Sequence, residues 1–500
     1  VKVALLGLPG SGKTTVGRAL ANMAGRPFVD LDEAISKRAG EHPASLIDRL
    51  GEADFRHIEM VTLHHVAEGQ GVLALGGGTL DDPLNSRRLG AWRLIWLDPS
   101  LTTLVRRLSD TGDRPLLRGN VASRLEALDV RRRPIFARVA EARFGGEGDP
   151  TTVAREIKDY LDTVDALGGR LYWGVGSRRH LGAFDFGRSG AVVARTLDAW
   201  RGDLARALPD VPTTDLDDRE EAKTLDSVGR LYRWGSEQHF DRTSTVYAVG
   251  GGVTTDLAGF FAATYLRGLP LVDVPTTLLA SVDAAIGGKV GVDLPEGKNL
   301  VGSFHPPRAT VVDPDFWGTL PPRALSEAMA EVVKTALIEG EDALAELEEL
   351  GWPATPERLD PIARRAARVK LQIVQADPRE EAERTYLNLG HTAGHALEQA
   401  TGYRVSHGRA VAIGLMAILR FQEERGGARL AARVGRLLDR FGLPTAYEID
   451  PSRLIGPMGL DKKRSEGGRR LVLLERPGRP FLTPATATDL EGLAKNVLPG

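Results

Sequence analysis

The chain has 500 residues, which at ~150 residues per domain points to about three domains and excludes a single small core. Its 65 Lys+Arg against 67 Asp+Glu leave a formal charge of −2, which excludes a polyanion binder fed by surplus positive charge, so no nucleic-acid partner is expected. Cysteine is absent, so disulfides, thiolate metal sites and Cys nucleophiles are excluded together, and any metal falls to His and carboxylates.

Val1 to Leu6 is a short apolar run that breaks at Gly7, its stretch after Lys2, Val3 to Leu6, is too short for a signal peptide, and a helix-compatible stretch follows Lys13. Between them lies Gly7-Leu8-Pro9-Gly10-Ser11-Gly12-Lys13-Thr14, the G-x-x-x-x-G-K-[ST] pattern in its strand-loop-helix context. Glycines let successive N–H groups converge on phosphate oxygens, the helix N-terminus adds positive potential, and Lys13 reaches the β/γ phosphates. Gly10, Ser11, Gly12, Lys13, Thr14 and Thr15 are therefore expected to hold ATP, with the Thr14 hydroxyl on Mg²⁺. Further short apolar runs at Pro27 to Asp32, Val72 to Leu75 and Leu94 to Leu97 alternate with helix-length segments, the signature of a parallel sheet. If the second run is a strand through Asp32, period-two spacing turns Asp30 and Asp32 to one face, one for the Mg²⁺ shell and one for an acceptor hydroxyl. Arg56, Gly76-Gly77-Gly78, Arg114 and Arg132 add cations and close-approach backbone suited to a small carboxylate; Arg131 and Arg133 read as a solvated helix face.

Over residues 1 to 165 this order of loop, F-V-D-L-D, G-E-A-D-F-R, triple glycine and D-R-P-L-L resembles shikimate kinase. The resemblance implies that Asp32 orients or deprotonates the acceptor hydroxyl, and that Asp30 serves Mg²⁺. It places Arg56 and Arg132 on the shikimate carboxylate, Gly77 and Gly78 on the ring hydroxyls, Arg114 on a lid, and Arg107 near adenine. Phe136 departs from the Tyr usual in that family.

A glycine-bearing polar stretch, Gly145 to Pro150, precedes an amphipathic helix near Val153 to Leu161, and after Gly168-Gly169 a second α/β pattern opens with runs at Ala191 to Ala194, Val246 to Val249 and Leu271 to Val274. Gly250-Gly251-Gly252-Val253-Thr254-Thr255-Asp256 follows the second of these, where backbone can approach a pyrophosphate, although it is not the G-x-G-x-x-G fingerprint. From Leu325 to about Arg440 Ala, Leu, Glu and Arg dominate, so this part reads as mostly helical. Its longest apolar stretch, Ala410 to Leu419, falls short of the ~18 residues a membrane span needs. Here Glu331 and Lys334 share a helix face, as do His391 and His395, with His407 further on. Spacing suggests His391 and His395 as a metal pair or as hydrogen-bonded core histidines, and does not choose.

Over residues 170 to 500 the segments GGGVTTDLAGF, YLRG, VPTTLLASVDAAIGGKVGVD, GKNLVGSFHPP, LPPR, AEVVK, NLGHTAGHALE, HGRAVAIG and DKK resemble 3-dehydroquinate synthase. The resemblance implies NAD and a divalent metal, Zn²⁺ or Co²⁺, and conversion of 3-deoxy-D-arabino-heptulosonate 7-phosphate to 3-dehydroquinate with loss of phosphate. It makes Glu331, His391 and His407 the ligands, with His395 beside them or on the substrate phosphate. Lys289, Asn299, Lys334, Lys370, Arg384 and Asn388 surround the substrate, Asp283 contacts its hydroxyls, and Lys462 or Lys463 joins them. Arg267 reaches the phosphate in a neighbouring subunit, which implies a homodimer. Glu220, Lys223, Gly250, Gly251, Gly252, Asp256, Thr276, Thr277 and Thr319 hold NAD. Ala324 and the Arg195 to Asp198 segment depart from the family pattern.

The expected fold is α/β: a P-loop kinase parallel-sheet domain over 1–165, a Rossmann-like domain over 170–322 and a mostly helical metal-binding domain over 323–500. The expected function is a bifunctional cytoplasmic enzyme acting on shikimate and the heptulosonate phosphate, with no membrane partner. The alternatives are another small-molecule kinase joined to a metal-dependent polyol dehydrogenase, or a fusion with one inactive half.

Overall fold

The computed structural model describes residues 2–109, 120–295, 297–460 and 470–499. The chain forms two compact units: Val1–Asp165 with Arg179–Gly187, and Ala166–Arg178 with Arg188–Gly500.

In the first unit, strands β1 (Lys2–Leu6), β2 (Phe28–Asp30), β3 (Gly71–Ala74), β4 (Arg93–Leu97) and β5 (Ala142–Phe144) form a sheet of order β2-β3-β1-β4-β5. Its neighbours pair in parallel, as strands separated by crossover helices must. β1, β3 and β4 are buried almost throughout, because helices cover both faces of such a sheet. The Lys13–Ala24 helix starts directly after the first glycine loop, and Gly12 at φ 93° makes the left-handed turn into it that a side chain would strain. The second strand ends at Asp30, not Asp32. The Asp30 carboxylate accepts from the Asp32 and Glu33 N–H groups (2.9 and 3.3 Å), capping the Leu31–Ala39 helix, so Asp32 lies in a helical first turn and the two carboxylates do not share a strand face. Residues 179–187 complete this unit's core: Leu181 and Phe184 are fully buried and Phe186 stacks on Trp96 at 6.1 Å. The Phe184 ring sits 6.1 Å from that of Tyr160, and Arg143 donates to the Asp185 carbonyl at 3.2 Å.

The second unit is built on β6 (Asp165–Gly168), β7 (Leu171–Trp173), β8 (Ser189–Ala194), β9 (Thr213–Leu216), β10 (Thr245–Gly250), β11 (Leu271–Pro275), β12 (Lys289–Leu294), β13 (Gly297–Phe304) and β14 (Ala309–Val312). Their main sheet has the order β6-β7-β14-β11-β10-β8-β9, and β12 and β13 form a separate antiparallel hairpin. β10 leads through Gly251 straight into the Gly252–Thr264 helix, again a glycine loop at the carboxyl end of a parallel strand. Beyond it the chain turns helical, through Pro322–Glu339, Pro356–Ala376, His391–Ala400 and His407–Glu424, the first two opening on a proline at the first helical position. Ala410 to Leu419 is buried on every side as the core of the last of these helices. A small antiparallel pair, β15 (Arg470–Leu474) and β16 (Pro480–Pro484), interrupts the part expected to be helical. Among the described residues, no helix is long and apolar enough to cross a membrane.

Candidate active sites

The first site gathers where β1, β2 and β3 end. Lys13 folds back over its loop, donating to the Gly7 and Leu8 carbonyls at 2.9 and 3.1 Å, and the Thr14 hydroxyl donates to Asp30 Oδ2 at 2.6 Å. A hydroxyl and a carboxylate in contact beside a phosphate loop are hard oxygen donors of the kind Mg²⁺ takes. Ser11 is buried, Thr14 and Thr15 are exposed, and Arg107 donates to the Gly10 and Gly146 carbonyls (3.3 and 3.1 Å), closing one side of the loop. Opposite, two guanidinium groups converge on the triple glycine: a Cβ on Gly78 would meet Arg56 and lie 2.6 Å from Arg132 Nη2, and one on Gly76 would lie 3.2 Å from Asp32 Oδ1. Only glycine lets these cations approach so closely.

Carboxylates hold both arginines in place. Arg56 donates to Glu59 (2.6 Å) and Glu52 (3.1 Å), and Glu59 in turn accepts from Thr79 Oγ1 (2.6 Å). Burial alone would lower the Arg56 pKa, yet the Glu59 and Glu52 carboxylates outweigh it and hold it above its ordinary value. Arg132 is fully buried and bound through Nε and Nη2 to Asp81 (3.1 and 2.9 Å), while its buried Nη1 has no hydrogen-bond partner among the described residues. An orphaned guanidinium N–H over a glycine platform is a receptor for an anion.

In the second unit, the start of the Gly252–Thr264 helix faces a charged cluster. Lys223 pairs with Asp256 at 2.6 Å and donates to Asn299 Oδ1 at 2.5 Å, and Asn299 N–H donates to Asp293 at 2.8 Å. Lys298 bridges Glu220 (2.8 Å) and Glu398 (3.1 Å). A Cβ on Gly250 would lie 2.9 Å from that of Ala194, and one on Gly251 3.2 Å from Thr277 Cγ2. Thr276 is buried, Thr277 Oγ1 accepts from the Ala280 N–H (3.1 Å), and Thr319 Oγ1 accepts from Trp200 Nε1 (3.1 Å).

Deeper in the same unit, Glu331 Oε1 lies 3.3 Å from both His391 Nε2 and His407 Nε2. Each histidine turns Nδ1 to an acceptor, the Leu389 carbonyl (3.2 Å) and Glu398 Oε2 (3.3 Å), which leaves each Nε2 directed at Glu331, where loss of its proton would make it a metal ligand. Both Glu331 oxygens are buried, Oε1 toward the two histidines and Oε2 against the Lys334 ammonium. Two nitrogens and a carboxylate oxygen within 4.8 Å of one another fit a tetrahedral cation such as Zn²⁺ or Co²⁺ with one position open. His395, Glu398 and His407 form a second group of that size, but the Lys298 ammonium already sits on Glu398, which disfavours a cation there. His391 and His395 stand edge to face at 5.0 Å, and only the former points at Glu331.

Lysines surround the three donors. Lys334 is ion-paired to Glu331, and Lys370 to Asp283, whose carbonyl it also reaches at 2.7 Å. Burial would raise the Glu331 carboxyl, but Lys334 and His391 hold it well below the usual range; burial pushes the Lys370 amine down. Lys289 pairs with Glu380, which accepts from Asn388 Nδ2 at 2.9 Å. Arg384 is buried and donates to the Pro378 and Gly287 carbonyls (2.8 and 3.1 Å).

Residues 213–327 match the family model for the 3-dehydroquinate synthase N-terminal part, and residues 328–464 that for its C-terminal part. A 3-dehydroquinate synthase of Symbiobacterium thermophilum is 47% identical over 281 residues, 54% of this chain and 78% of the relative. That of Nostoc punctiforme is 42% identical over 292 residues, 56% of this chain and 80% of the relative. The chain belongs to the 3-dehydroquinate synthase family. Residues 9–162 match the family model for shikimate kinase, so the synthase carries a kinase domain ahead of it. Among solved structures, the synthase part is similar to ValA, a 2-epi-5-epi-valiolone synthase from Streptomyces hygroscopicus subsp. jinggangensis with NAD⁺ and Zn²⁺ bound (TM-score 0.61, 26% identity, 67% of this chain and 97% of that one). It is similar also to a 2-deoxy-scyllo-inosose synthase complexed with carbaglucose-6-phosphate, NAD⁺ and Co²⁺ (TM-score 0.59, 26% identity, 66% and 96%).

In this synthase, Glu331, His391, His407, Lys334, Lys370 and Asp283 come together, and Lys289 and Asn388 meet through Glu380. Asn299, on the β12–β13 hairpin, bonds Lys223 in the cluster with Asp256. Arg267 lies on an exposed turn, Tyr265–Arg267, with Leu266 exposed beside it. Arg114, Lys462 and Lys463 lie outside the described residues. Glu59, Asp81 and Glu398 are not singled out by the sequence. Glu59 sits three residues after Arg56 on one helix, a spacing that signals an ion pair, whereas Asp81 and Arg132 are 51 residues apart and leave no local trace.

Proposed function

We propose that the N-terminal module transfers the γ-phosphoryl group of ATP to the 3-hydroxyl of shikimate, and that the C-terminal module converts 3-deoxy-D-arabino-heptulosonate 7-phosphate to 3-dehydroquinate and phosphate. The observation that carries the second reading is the convergence of Glu331, His391 and His407 beside Lys334, Lys370 and Asp283. The observation that carries the first is the buried, half-satisfied Arg132 over the triple glycine.

In the kinase module, Gly10 to Thr15 enclose the nucleotide phosphates, and Thr14 with Asp30 holds Mg²⁺. Arg107 flanks the adenine side, while Arg56 and Arg132 take the shikimate carboxylate. Gly77 and Gly78 admit its ring hydroxyls, Asp32 accepts the proton of the attacking hydroxyl, and Arg114 covers both substrates. Positioning and charge neutralisation supply most of the rate in such a transfer.

In the synthase module, Glu220, Lys223, Gly250 to Gly252, Asp256, Thr276, Thr277 and Thr319 bind NAD, and Glu331, His391 and His407 hold Zn²⁺ or Co²⁺. NAD when bound takes up and returns a hydride, and the divalent cation polarises the oxygens of the substrate. Lys334 and Lys370 neutralise negative charge as it develops next to the reacting carbons, and Asp283 fixes the substrate hydroxyls. Lys289, Arg384, Asn388 and Asn299 bind the remaining oxygens, and His395 faces the phosphate. The exposed Arg267 completes the phosphate site of a second copy in a homodimer, and the chain works in the cytoplasm.

The test is metal analysis of the purified chain with a phosphate-release assay on the heptulosonate phosphate. One divalent ion per chain and phosphate release without accumulated NADH support the reading. Accumulating NADH would instead mark a polyol dehydrogenase.

A further inference from the structure

Glu398 is a buried carboxylate that the proposed reaction leaves without a role. It is 2% exposed on the His391–Ala400 helix, and its two oxygens face different partners. Oε2 lies 3.3 Å from His407 Nδ1, the ring nitrogen turned away from Glu331. Oε1 lies 3.1 Å from Lys298 Nζ, on the β12–β13 hairpin, and the same ammonium lies 2.8 Å from Glu220 Oε1. The Tyr403 ring stacks under that ammonium at 4.8 Å from its centre. A continuous polar path thus runs from Glu220, through Lys298 and Glu398, to His407. Its ends are the proposed nucleotide pocket and the proposed metal centre.

A buried Lys–Glu contact costs desolvation that it rarely returns as stability, so its chief effect is to fix geometry. Glu398 accepts from Nδ1 and so sets the imidazole of His407 with Nε2 toward Glu331, while Lys298 fixes the rotamer of Glu398 from the other side. A nucleotide that orders Glu220 and Lys298 thereby orders His407 before any metal arrives. A metal that orders His407 and Glu398 likewise orders Lys298 for the nucleotide. Whichever ligand binds second meets a site already fixed, which is the condition for positive cooperativity without a large structural change.

We infer that Glu398 is a positioning residue which, with Lys298, makes metal and nucleotide bind cooperatively in the synthase module. This rests on the reading of Glu331, His391 and His407 as metal ligands and of Glu220 as nucleotide-binding.

The test uses the full-length chain stripped of metal. Co²⁺ affinity is measured from its visible absorption band with and without saturating NAD⁺, and NAD⁺ affinity is measured with and without Co²⁺. NAD⁺ is expected to tighten Co²⁺ about fivefold or more, and Co²⁺ to tighten NAD⁺ by the same factor, since coupling is reciprocal. In Glu398→Gln, Co²⁺ should still bind, weakened about tenfold or more, with the coupling factor close to one. Lys298→Met breaks the path on the hairpin instead of the helix and should also abolish coupling, with His407 still ligating; thermal melts establish that each variant folds. Coupling absent in the parent chain, or undiminished in whichever variants fold, overturns the inference while leaving the two sites as read. A parent chain that binds no Co²⁺ or no NAD⁺ overturns the reading of the sites themselves.

Discussion

Arg132 is fully buried, yet its Nη1 has no hydrogen-bond partner among the described residues, while Asp81 holds the other edge of the guanidinium. That free N–H is the strongest single pointer to an anionic substrate in the kinase module. Arg132→Lys keeps the charge but loses the planar fork, and is expected to raise KM for shikimate about tenfold, ~1.4 kcal/mol, with KM for ATP unchanged. Steady-state kinetics with each substrate varied in turn check this; an equal rise for ATP would contradict the assignment. At this scale the sequence is informative where a residue lies inside a spaced motif, as Lys13 and Thr14 do in their loop. It was silent on carboxylates that act from far along the chain. Asp81 meets Arg132, and Glu398 meets Lys298, only because strands and helices bring them together.

Among the elements, β11 carries an anomaly. Asp273 is 4% exposed in a strand buried throughout, and its Oδ1 has no hydrogen-bond partner among the described residues. Burial, followed by the nearby Asp256 carboxylate, pushes its pKa well above the usual range. The folded state therefore holds this proton more tightly than the unfolded chain, so its contribution is most favourable below the unfolded pKa near 4. Stability is lost as pH rises from there toward the folded pKa. Asp273→Asn, which has no proton to lose, should make the second unit more stable at pH 7 and flatten its stability between pH 4 and 7. Urea unfolding across that range checks this, and an unchanged slope would contradict it.

Residues 179–187 give a second prediction for the elements. They place Leu181, Phe184 and Phe186 in the core of the first unit, so Phe184→Ala should cost about 3–5 kcal/mol in the unfolding of that unit. A fragment ending at residue 165 should accordingly unfold at lower urea than one ending at residue 187. Equal midpoints would show that the segment adds nothing to the fold. Apolar runs identified β1, β8, β10 and β11, because burial on both faces leaves a mostly hydrophobic signal, and at β1 and β10 the run ends in a glycine loop. The short strands β5 and β7 carry too few residues for such a signal. β2 ends at Asp30, two residues before the Asp32 that the sequence suggests, since an Asp N-cap looks the same in sequence as the end of a strand.

For the whole molecule, the two proposed phosphate-handling sites lie in two separate compact units, the kinase loop at Gly7 to Thr14 in one and the proposed metal and nucleotide clusters in the other. The near-zero net charge of the chain hides them, because the cations that matter are a few buried arginines and lysines in specific pairs. Separate sites should fail separately: Lys13→Ala should abolish kinase activity and leave the synthase rate unchanged, and His391→Ala should do the reverse. Activity assays on both substrates for each variant check this, and a loss of both activities in either would show that the sites are coupled. The most direct test of two activities in one chain is a ³¹P NMR time course on the purified metal-loaded protein. The tube holds ATP, Mg²⁺, shikimate, the heptulosonate phosphate and NAD⁺ equimolar to the enzyme. The account predicts that ATP gives way to ADP and a new phosphomonoester while the heptulosonate phosphate is fully converted to inorganic phosphate, although NAD⁺ is far below one equivalent of substrate. Persistence of either substrate, or phosphate release that halts after one turnover of NAD⁺, would contradict it.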